Sequence, residues 1–220
     1  MSSSGRSTTV RRARAPRGQG DRLRGDILEA AEGLLLKGAD EQTLSIRSVA
    51  AAVGVTPPAI YRHFQDKDEL LLAVCERRFV EFDATVQAAA RDVEDPLLAL
   101  RLRAEAYVGF GLAHPEHYRI LFLKKSVVVE RRAAERGGPG RDAFQHLLDA
   151  VQECMDAGRL DARDVVSASV CLWSALHGLT SLLITMPEFE WPPVEPLVTA
   201  MLDVTLAGLG AVQPTPLLGI

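Results

Sequence analysis

The chain has 220 residues, of which 47% are hydrophobic, 25% are charged and 5% are aromatic. This length and apolar fraction suit one or two packed domains and exclude a chain that is disordered throughout. The net charge of −4 is unevenly spread, because residues 1–24 carry seven arginines and one aspartate, whereas residues 79–220 carry 12 basic and 19 acidic residues. A basic arm of this kind is typical of proteins that meet a polyanion, although a leader without function has the same composition.

Cysteine usage and one uncharged segment bear on where the protein works. Cys75, Cys154 and Cys171 are odd in number and lack metal-ligand spacing, so we expect neither a disulfide framework nor a zinc site, and we expect a cytoplasmic location. No apolar stretch follows the basic N-terminus, which predicts no secretory signal. Residues 165–187 form 23 positions without Asp, Glu, Lys or Arg, long enough to span a membrane. Scattered polar residues and a central tryptophan favour a buried or interfacial helix there, so we expect no membrane partner.

The N-terminal residues predict a flexible arm followed by helices. Residues 1–20 have no periodicity, whereas helical spacing of apolar residues begins at Asp21, and Gly38 stands where that helix is expected to end. Ser45 is expected to cap a short helix that runs through Val53.

Two further helices are predicted next. Gly54 can supply the positive φ of a tight turn, and Thr56 is expected to cap the helix 57–64, with Pro57 at its first position. A longer helix is expected from near Asp66. Its predicted inward residues are Leu70, Leu71, Val74 and Phe82.

The remainder predicts helices and no strand, with about nine helices in all. The expected helical segments are 96–114, 115–123, 144–155, 161–186 and 194–209, with a charged connection over 124–141. The predicted fold is all-α, with a three-helix helix-turn-helix domain and a larger helical domain. The predicted divisions are a basic arm (1–20), a helix-turn-helix domain (21–67), a second domain (68–211) and a tail (212–220).

Residues 45–64 have the pattern of a helix-turn-helix, in which the second helix enters the major groove of DNA. An ordinary helical hairpin would have similar spacing, and both interpretations are open at this point. The residues of the second helix that could reach bases or phosphates are Thr56, Ala59, Tyr61, Arg62 and His63. Ala59 could offer only a methyl contact, for example to thymine.

The run Ile60–Leu70, which contains Tyr-Arg-His-Phe and then Asp-Lys-Asp-Glu-Leu, closely resembles the end of the DNA-binding domain of tetracycline-repressor (TetR) family regulators. Residues 49–56 resemble the part that precedes it, and the resemblance covers about residues 22–75. It implies an all-helical regulator with an N-terminal helix-turn-helix and a larger ligand-sensing, dimerising domain.

The same resemblance implies roles for individual residues. Ser45 matches the residue that caps the second helix, and Arg47 matches an exposed position near the DNA backbone. Thr56, Tyr61 and His63 match contacts of the recognition helix. Lys67 matches a lysine that points at a phosphate.

The C-terminal half is similar to a TetR subgroup with a Trp-x-x-x-His-Gly motif, here Trp173 to Gly178. Trp173 and His177 are four residues apart and therefore share one helix face. His177 could be a hydrogen-bonded core or interface histidine, or it could line a ligand pocket. Either interpretation is compatible with the spacing.

Aromatic residues on the neighbouring helices could surround a cavity, although such stripes are also typical of a plain core. The candidate ligand-binding residues are Tyr107, Phe110, His114, Tyr118, Phe122, Phe144, Trp173 and His177. His114 and His117 have a His-x-x-His spacing without a third ligand nearby, so neither a metal nor a cofactor is expected. No catalytic motif occurs, which argues against an enzyme.

We therefore expect a homodimeric, ligand-responsive repressor that binds a pseudo-palindromic double-stranded operator and is released by a small, apolar ligand. The last two helices are expected to form the dimer contact, with Leu202 and Leu206 in it. A helical small-molecule or partner-binding protein without DNA binding, or a DNA-binding activator, are the alternatives.

Overall fold

The computed structural model describes residues 19–37, 43–123, 134–135 and 137–211. Within these ranges the chain forms nine α-helices and no strand, apart from an isolated bridge between Leu160 and Ala211. The helices are α1 (Gln19–Leu36), α2 (Ile46–Val53), α3 (Pro57–Ile60), α4 (Lys67–Ala88), α5 (Pro96–Ala113), α6 (Pro115–Tyr118), α7 (Pro139–Asp156), α8 (Val165–Thr185) and α9 (Val194–Gly208). The predicted all-α class is confirmed. Residues 1–18 of the predicted basic arm, Gly38, the tail and most of the connection over 124–141 lie outside the described residues, whereas Gln19 and Gly20 belong to α1.

Both ends of α2 are built by the residues that the sequence indicated. The Ser48 N–H donates to Ser45 Oγ at 3.1 Å, and the Ser45 N–H donates to Ser48 Oγ at 3.1 Å. This reciprocal cap satisfies amide groups that the first turn of a helix leaves free. Gly54 then adopts φ 76°, a left-handed conformation that ends α2 and turns the chain toward α3.

The third helix is shorter than predicted. Regular α-helix covers Pro57–Ile60 rather than 57–64, and residues 61–63 form turns. The Phe64 N–H still donates to the Ile60 carbonyl at 3.1 Å, so the backbone completes one more helical turn before α4.

The expected cap by Thr56 is wrong, because its side chain makes no capping hydrogen bond. A cap oxygen normally accepts from the second or third amide of the helix. The second position is Pro58, which has no N–H, and the Ala59 N–H already donates to the Thr56 carbonyl at 2.8 Å.

The later helices begin at different residues from those predicted. α7 begins at Pro139, inside the predicted connection, and α8 begins at Val165 rather than 161. Asp164 determines the latter boundary, because its carboxylate accepts from the Ser167 N–H at 2.8 Å. α6 continues into a π-helical turn over Arg119–Leu123.

The buried apolar residues form two clusters, and α4 contributes to both. The first cluster is built on α1–α4 and includes Leu70 and Val74, whereas the second is built on α4–α9 and includes Phe82. Leu70, Leu71, Val74 and Phe82 are all buried, as predicted. The first cluster extends beyond residue 67, where we predict the domain division, because it includes the first half of α4.

α8 is long and apolar enough, by length and composition, to cross a membrane. In the fold it packs against α5, α7 and α9. Its buried residues include Leu172 and Leu176.

Leu202 and Leu206 of α9 are 0% and 2% exposed and pack in the second cluster of the same chain. Our expectation that they lie at a dimer contact is therefore wrong. An apolar stripe on a helix has the same pattern whether it packs into the core of its own chain or against a partner chain.

Candidate functional site

The predicted DNA-contact residues are mostly accessible. Arg47 of α2 and Thr56, Tyr61 and Arg62 around α3 are exposed, and the Tyr61 side chain is 55% exposed although it is a large ring. Ser45 is also exposed, and its hydroxyl is engaged in the cap of α2. His63 and Lys67 are half-buried.

Ala59 does not fit the role expected of it. It is 7% exposed and packs inside the protein beside Ile60, so its methyl group cannot meet a thymine methyl. The short α3 turns this face toward α2, and the neighbouring Tyr61 faces solvent instead.

Phe64 holds the end of this element in place. Its ring is 1% exposed within the first cluster, and the Arg24 guanidinium carbon of α1 lies 4.9 Å from the ring centroid. This cation–π contact ties α1 to the turn after α3. The buried position makes Phe64 a structural residue of this element.

A cavity of about 690 Å³ lies within the second domain, bounded by α4, α5, α7, α8 and the π-helical turn. Its volume is within the range of small-molecule sites, roughly 300–1,000 Å³. Five of the eight candidate ligand-binding residues line it, namely Tyr107, Phe122, Phe144, Trp173 and His177.

The other three candidates do not line the cavity. Phe110 is 4% exposed, and its ring meets the Phe82 ring edge-on with the centroids 5.3 Å apart. Phe82 lines the cavity, so Phe110 packs behind the wall. His114 is exposed at the end of α5. Tyr118 is fully buried and contacts His177 from outside the cavity.

A buried polar cluster supports the wall at His177. Tyr118 Oη lies 2.6 Å from His177 Nδ1 and 3.0 Å from Tyr107 Oη, and Tyr107 Oη lies 3.3 Å from His177 Nδ1. Burial raises the pKa of both tyrosines, which keeps the hydroxyl groups protonated. His177 is therefore both a hydrogen-bonded histidine and a cavity residue.

Trp173 also borders the cavity, with its ring 5.8 Å from that of Phe144 and 6.0 Å from that of His177. The indole is 37% exposed, so it stands between the cavity and the surface of the chain. The spacing of Trp173 and His177 correctly predicted a shared helix face.

Sequence reasoning missed the charged residues of the cavity wall. Arg103 lies on the face of α5 that also carries Leu100, Ala104 and Tyr107. The sequence signal was the i, i+3, i+4, i+7 spacing, which places Arg103 on the same helix face as the candidate ligand-binding residue Tyr107. On the opposite wall, Asp83 accepts from His146 Nδ1 at 3.0 Å.

A buried acidic residue of α1, also missed, joins the two clusters. Glu32 is 7% exposed, and its Oε1 lies 3.1 Å from Arg78 Nε and 3.0 Å from His117 Nε2. Burial is the main reason that the pKa of His117 lies below its ordinary value, although the Glu32 carboxylate opposes this shift. Arg78 also pairs with Glu81 on α4.

The segment from α6 through the π-helical turn touches both clusters. His117 and Ile120 contact the first, through Glu32 and through apolar packing, whereas Tyr118 belongs to the second and supports the cavity wall. The chain therefore contains a continuous packed connection from the cavity to α1.

The His114 and His117 rings stack with centroids 5.5 Å apart. Among the residues that the structure describes, no group of three or more His, Cys, Asp or Glu is placed to hold a metal ion.

Two family models match different parts of the chain. One, for the Tetracyclin repressor-like C-terminal domain, matches residues 100–205, and the other, for bacterial regulatory proteins of the tetR family, matches residues 27–74. A curated relative, the HTH-type transcriptional activator FasR from Mycolicibacterium smegmatis, is 30% identical over 115 residues. That alignment covers 52% of this chain and 52% of the relative, so it spans only about half of each protein.

Solved structures share the fold over most of the chain. A protein of unknown function from Rhodococcus sp. RHA1 has 27% identity and a TM-score of 0.69, covering 86% of this chain and 95% of that one. The regulator FadR from Bacillus subtilis, solved with stearoyl-CoA, has 14% identity and a TM-score of 0.69, covering 84% and 98%. The chain therefore contains an N-terminal domain of the tetR family of bacterial regulatory proteins and a Tetracyclin repressor-like C-terminal domain.

Proposed function

We propose that the protein is a homodimeric transcriptional regulator that binds a pseudo-palindromic operator through α2 and α3 and responds to a small, largely apolar ligand in the cavity of its second domain. The observation that carries this proposal is the continuous packing from the cavity wall, through α6, to Glu32 of the DNA-binding domain. We place its action in the cytoplasm, where the operator is found.

DNA recognition is assigned to the exposed residues around α3. Tyr61 and Thr56 present hydroxyl groups, and Arg47 and Arg62 present guanidinium groups that suit phosphates or guanine edges. His63 and Lys67 are half-buried and follow α3 directly, so we assign them contacts to the DNA backbone. Ser45 acts indirectly, by fixing the start of α2.

Dimerisation is assigned to the outward faces of α8 and α9. Val166 and Val170, near the start of α8, and Leu182 and Met186, at its end, are between 41% and 53% exposed. On α9, Val204 is 76% exposed. Pairing these faces with a second copy would cover apolar area that an isolated soluble chain rarely leaves in water.

The ligand is expected to act by binding one arrangement of the dimer better than another. Release of the operator on ligand binding would make the protein a repressor. Activation is the second candidate, because the relative from Mycolicibacterium smegmatis carries the name of an activator. A reporter gene behind the operator, measured with and without the regulator, distinguishes the two.

The arginine at the end of α3 provides a direct test of DNA binding. Arg62→Gln should weaken binding to a mixed-sequence duplex and lower the slope of log affinity against log salt by about one, because one phosphate contact is lost. Arg163→Gln, which removes an exposed arginine just before α8, is the matched control and should change neither quantity. Fluorescence anisotropy of a labelled duplex measures both, and equal effects of the two variants would contradict the assignment.

The proposed dimer contact is tested by a second matched pair. Val170→Glu should convert the dimer to a monomer in sedimentation experiments, because it places a charge in the proposed contact. Val80→Glu, on a more exposed valine of α4 (57%, against 41% for Val170), should leave the dimer intact. A wild-type chain that sediments as a monomer at micromolar concentration would refute the dimer.

A further inference from the structure

Arg103 of α5 is a charged side chain on the wall of the cavity. Its Nε and Nη1 atoms are buried and have no hydrogen-bond partner among the described residues. A buried donor without an acceptor is costly, and a buried charge more so, which makes unsatisfied groups of this kind rare in proteins.

Two acidic residues, Glu153 and Asp95, act electrostatically on the Cys154 thiol, as does Arg103. Glu153 is exposed, and Asp95 is already engaged elsewhere. Asp95 pairs with Arg159 Nη2 at 3.0 Å and also accepts from the Leu97 N–H at 2.9 Å. Burial raises the pKa of Cys154 to about 11, so the thiol is neutral and offers Arg103 no counter-charge.

The cavity's other acids do not compensate Arg103 either. Asp83 pairs with His146 at 3.0 Å, and Glu76 lies at the part of the wall formed by Gly138. The Tyr107, Tyr118 and His177 cluster satisfies its own hydrogen bonds and therefore needs no charged guest. Arg103 is thus the wall residue with an unmet requirement for an anion.

The rest of the wall is suited to a hydrocarbon. The apolar lining residues of α4, α5, α7 and α8 include Phe79, Phe82, Leu100, Leu147, Leu172 and Leu176. A ligand that matches this cavity has an apolar body and one anionic group, and a planar two-oxygen anion pairs with a guanidinium through two parallel hydrogen bonds.

We propose that the cavity binds an apolar monocarboxylate whose carboxylate pairs with Arg103. This inference deepens the proposed function and rests on it, since it identifies the chemical class of the ligand. The free acid supplies this carboxylate. An acyl thioester has an uncharged carbonyl group in its place and cannot make the same pair with Arg103.

Tryptophan fluorescence can report binding directly. The chain has two tryptophans, so Trp191→Phe leaves Trp173, on the cavity wall, as the single fluorophore. In this background we would titrate dodecanoate, its neutral methyl ester and dodecanoyl-coenzyme A. Dodecanoate should bind at least roughly tenfold more tightly than either of the other two, since only it brings a carboxylate to the buried guanidinium.

Arg103→Gln should weaken dodecanoate binding at least roughly tenfold and leave the affinity for the methyl ester within about twofold. Arg141→Gln removes the other arginine of the wall, which is exposed, and should leave dodecanoate binding within about threefold. If Arg103→Gln does not fold, the comparison of acid and ester on the parent background decides the question alone.

Equal affinities for the acid and the ester, loss of binding in Arg141→Gln instead of Arg103→Gln, or no response of Trp173 to any probe would each overturn the proposal. Tighter binding of the thioester would overturn it as well, while leaving a ligand-responsive regulator in place. DNA binding, measured on the same preparations without probe, tests the proposed function separately.

Discussion

Gly109 and Gly111 of α5, which are separated by a single residue, should respond in opposite ways to replacement by alanine. A Cβ atom built at Gly111 would lie 2.3 Å from Thr180 Cγ2 and 3.0 Å from Tyr118 Cδ2, whereas one built at Gly109 would meet nothing within 4 Å. Ordinary carbon contacts lie at about 3.5–4.0 Å. Alanine at Gly111 therefore overlaps two fully buried side chains.

The size of the effect follows from what can move. Thr180 is β-branched, 0% exposed and donates from Oγ1 to the Leu176 carbonyl at 2.7 Å, so a change of its rotamer breaks a buried hydrogen bond. Overpacking of this kind costs about 1–3 kcal/mol, and we expect a value near 3. Replacing a helical glycine by alanine gains about 1 kcal/mol in helix propensity, which offsets part of this cost. Gly111→Ala should therefore lower the free energy of unfolding by about 2 kcal/mol.

Gly109→Ala is the control, because it has the helix-propensity gain without the overlap and should stabilise the protein by about 0.5–1 kcal/mol. The two variants should therefore differ by about 3 kcal/mol, or about 6–12 °C in Tm for a chain of this size. Urea unfolding at one fixed protein concentration measures the difference. Equal stability of the two variants would show that α5 and α8 are not packed as closely as Gly111 indicates.

Three further perturbations test separate parts of the account. Deleting residues 1–20 should weaken DNA binding and flatten its dependence on salt, since the deletion removes five arginines; an unchanged slope in anisotropy titrations would make the arm passive. Ser45→Ala should lower the free energy of unfolding by about 1 kcal/mol through loss of the cap, and Ser45→Asp, which keeps an acceptor, should retain most of it in urea titrations. Burial lowers the pKa of His117, so the unfolded chain takes up a proton at this residue more readily than the folded chain does. The contribution of His117 to stability is therefore present above about pH 6.5 and is lost as the pH falls. His117→Gln should therefore reduce the loss of unfolding free energy between about pH 7 and pH 5, measured by urea titrations at both pH values.

The local signals of the helix-turn-helix could be predicted because they act over a few residues. Ser45 and Gly54 begin and end α2 through contacts within the same turn. The length of α3 could not be predicted from its apolar spacing, which continues to Phe64 although the regular helix ends at Ile60. The burial of Ala59 depends on which face of a short helix meets its neighbours, and the residue type does not indicate that face.

The cavity shows where sequence reasoning stops. The pattern of aromatic residues correctly identified Tyr107 and His177 as residues that line the cavity. Tyr118 fits the same pattern, but it contacts His177 from behind the wall. The position of Arg103 on the same face as Tyr107 could be recognised, whereas its two buried nitrogen atoms without a partner are a property of the packed helices and not of α5 alone. Leu202 shows the same limit, since only the fold distinguishes an apolar residue of the core from one at a dimer contact.

The central claim, that a two-fold dimer reads DNA through α3, is tested most directly by selecting bound duplexes from a random pool at near-physiological salt. We predict an enriched motif of two inverted half-sites with centres about 10 base pairs apart, or a multiple of one helical turn, and loss of enrichment in Tyr61→Ala, whose ring is 55% exposed beside α3. No enrichment, a single half-site without its inverted copy, or an unchanged motif in Tyr61→Ala would contradict this account.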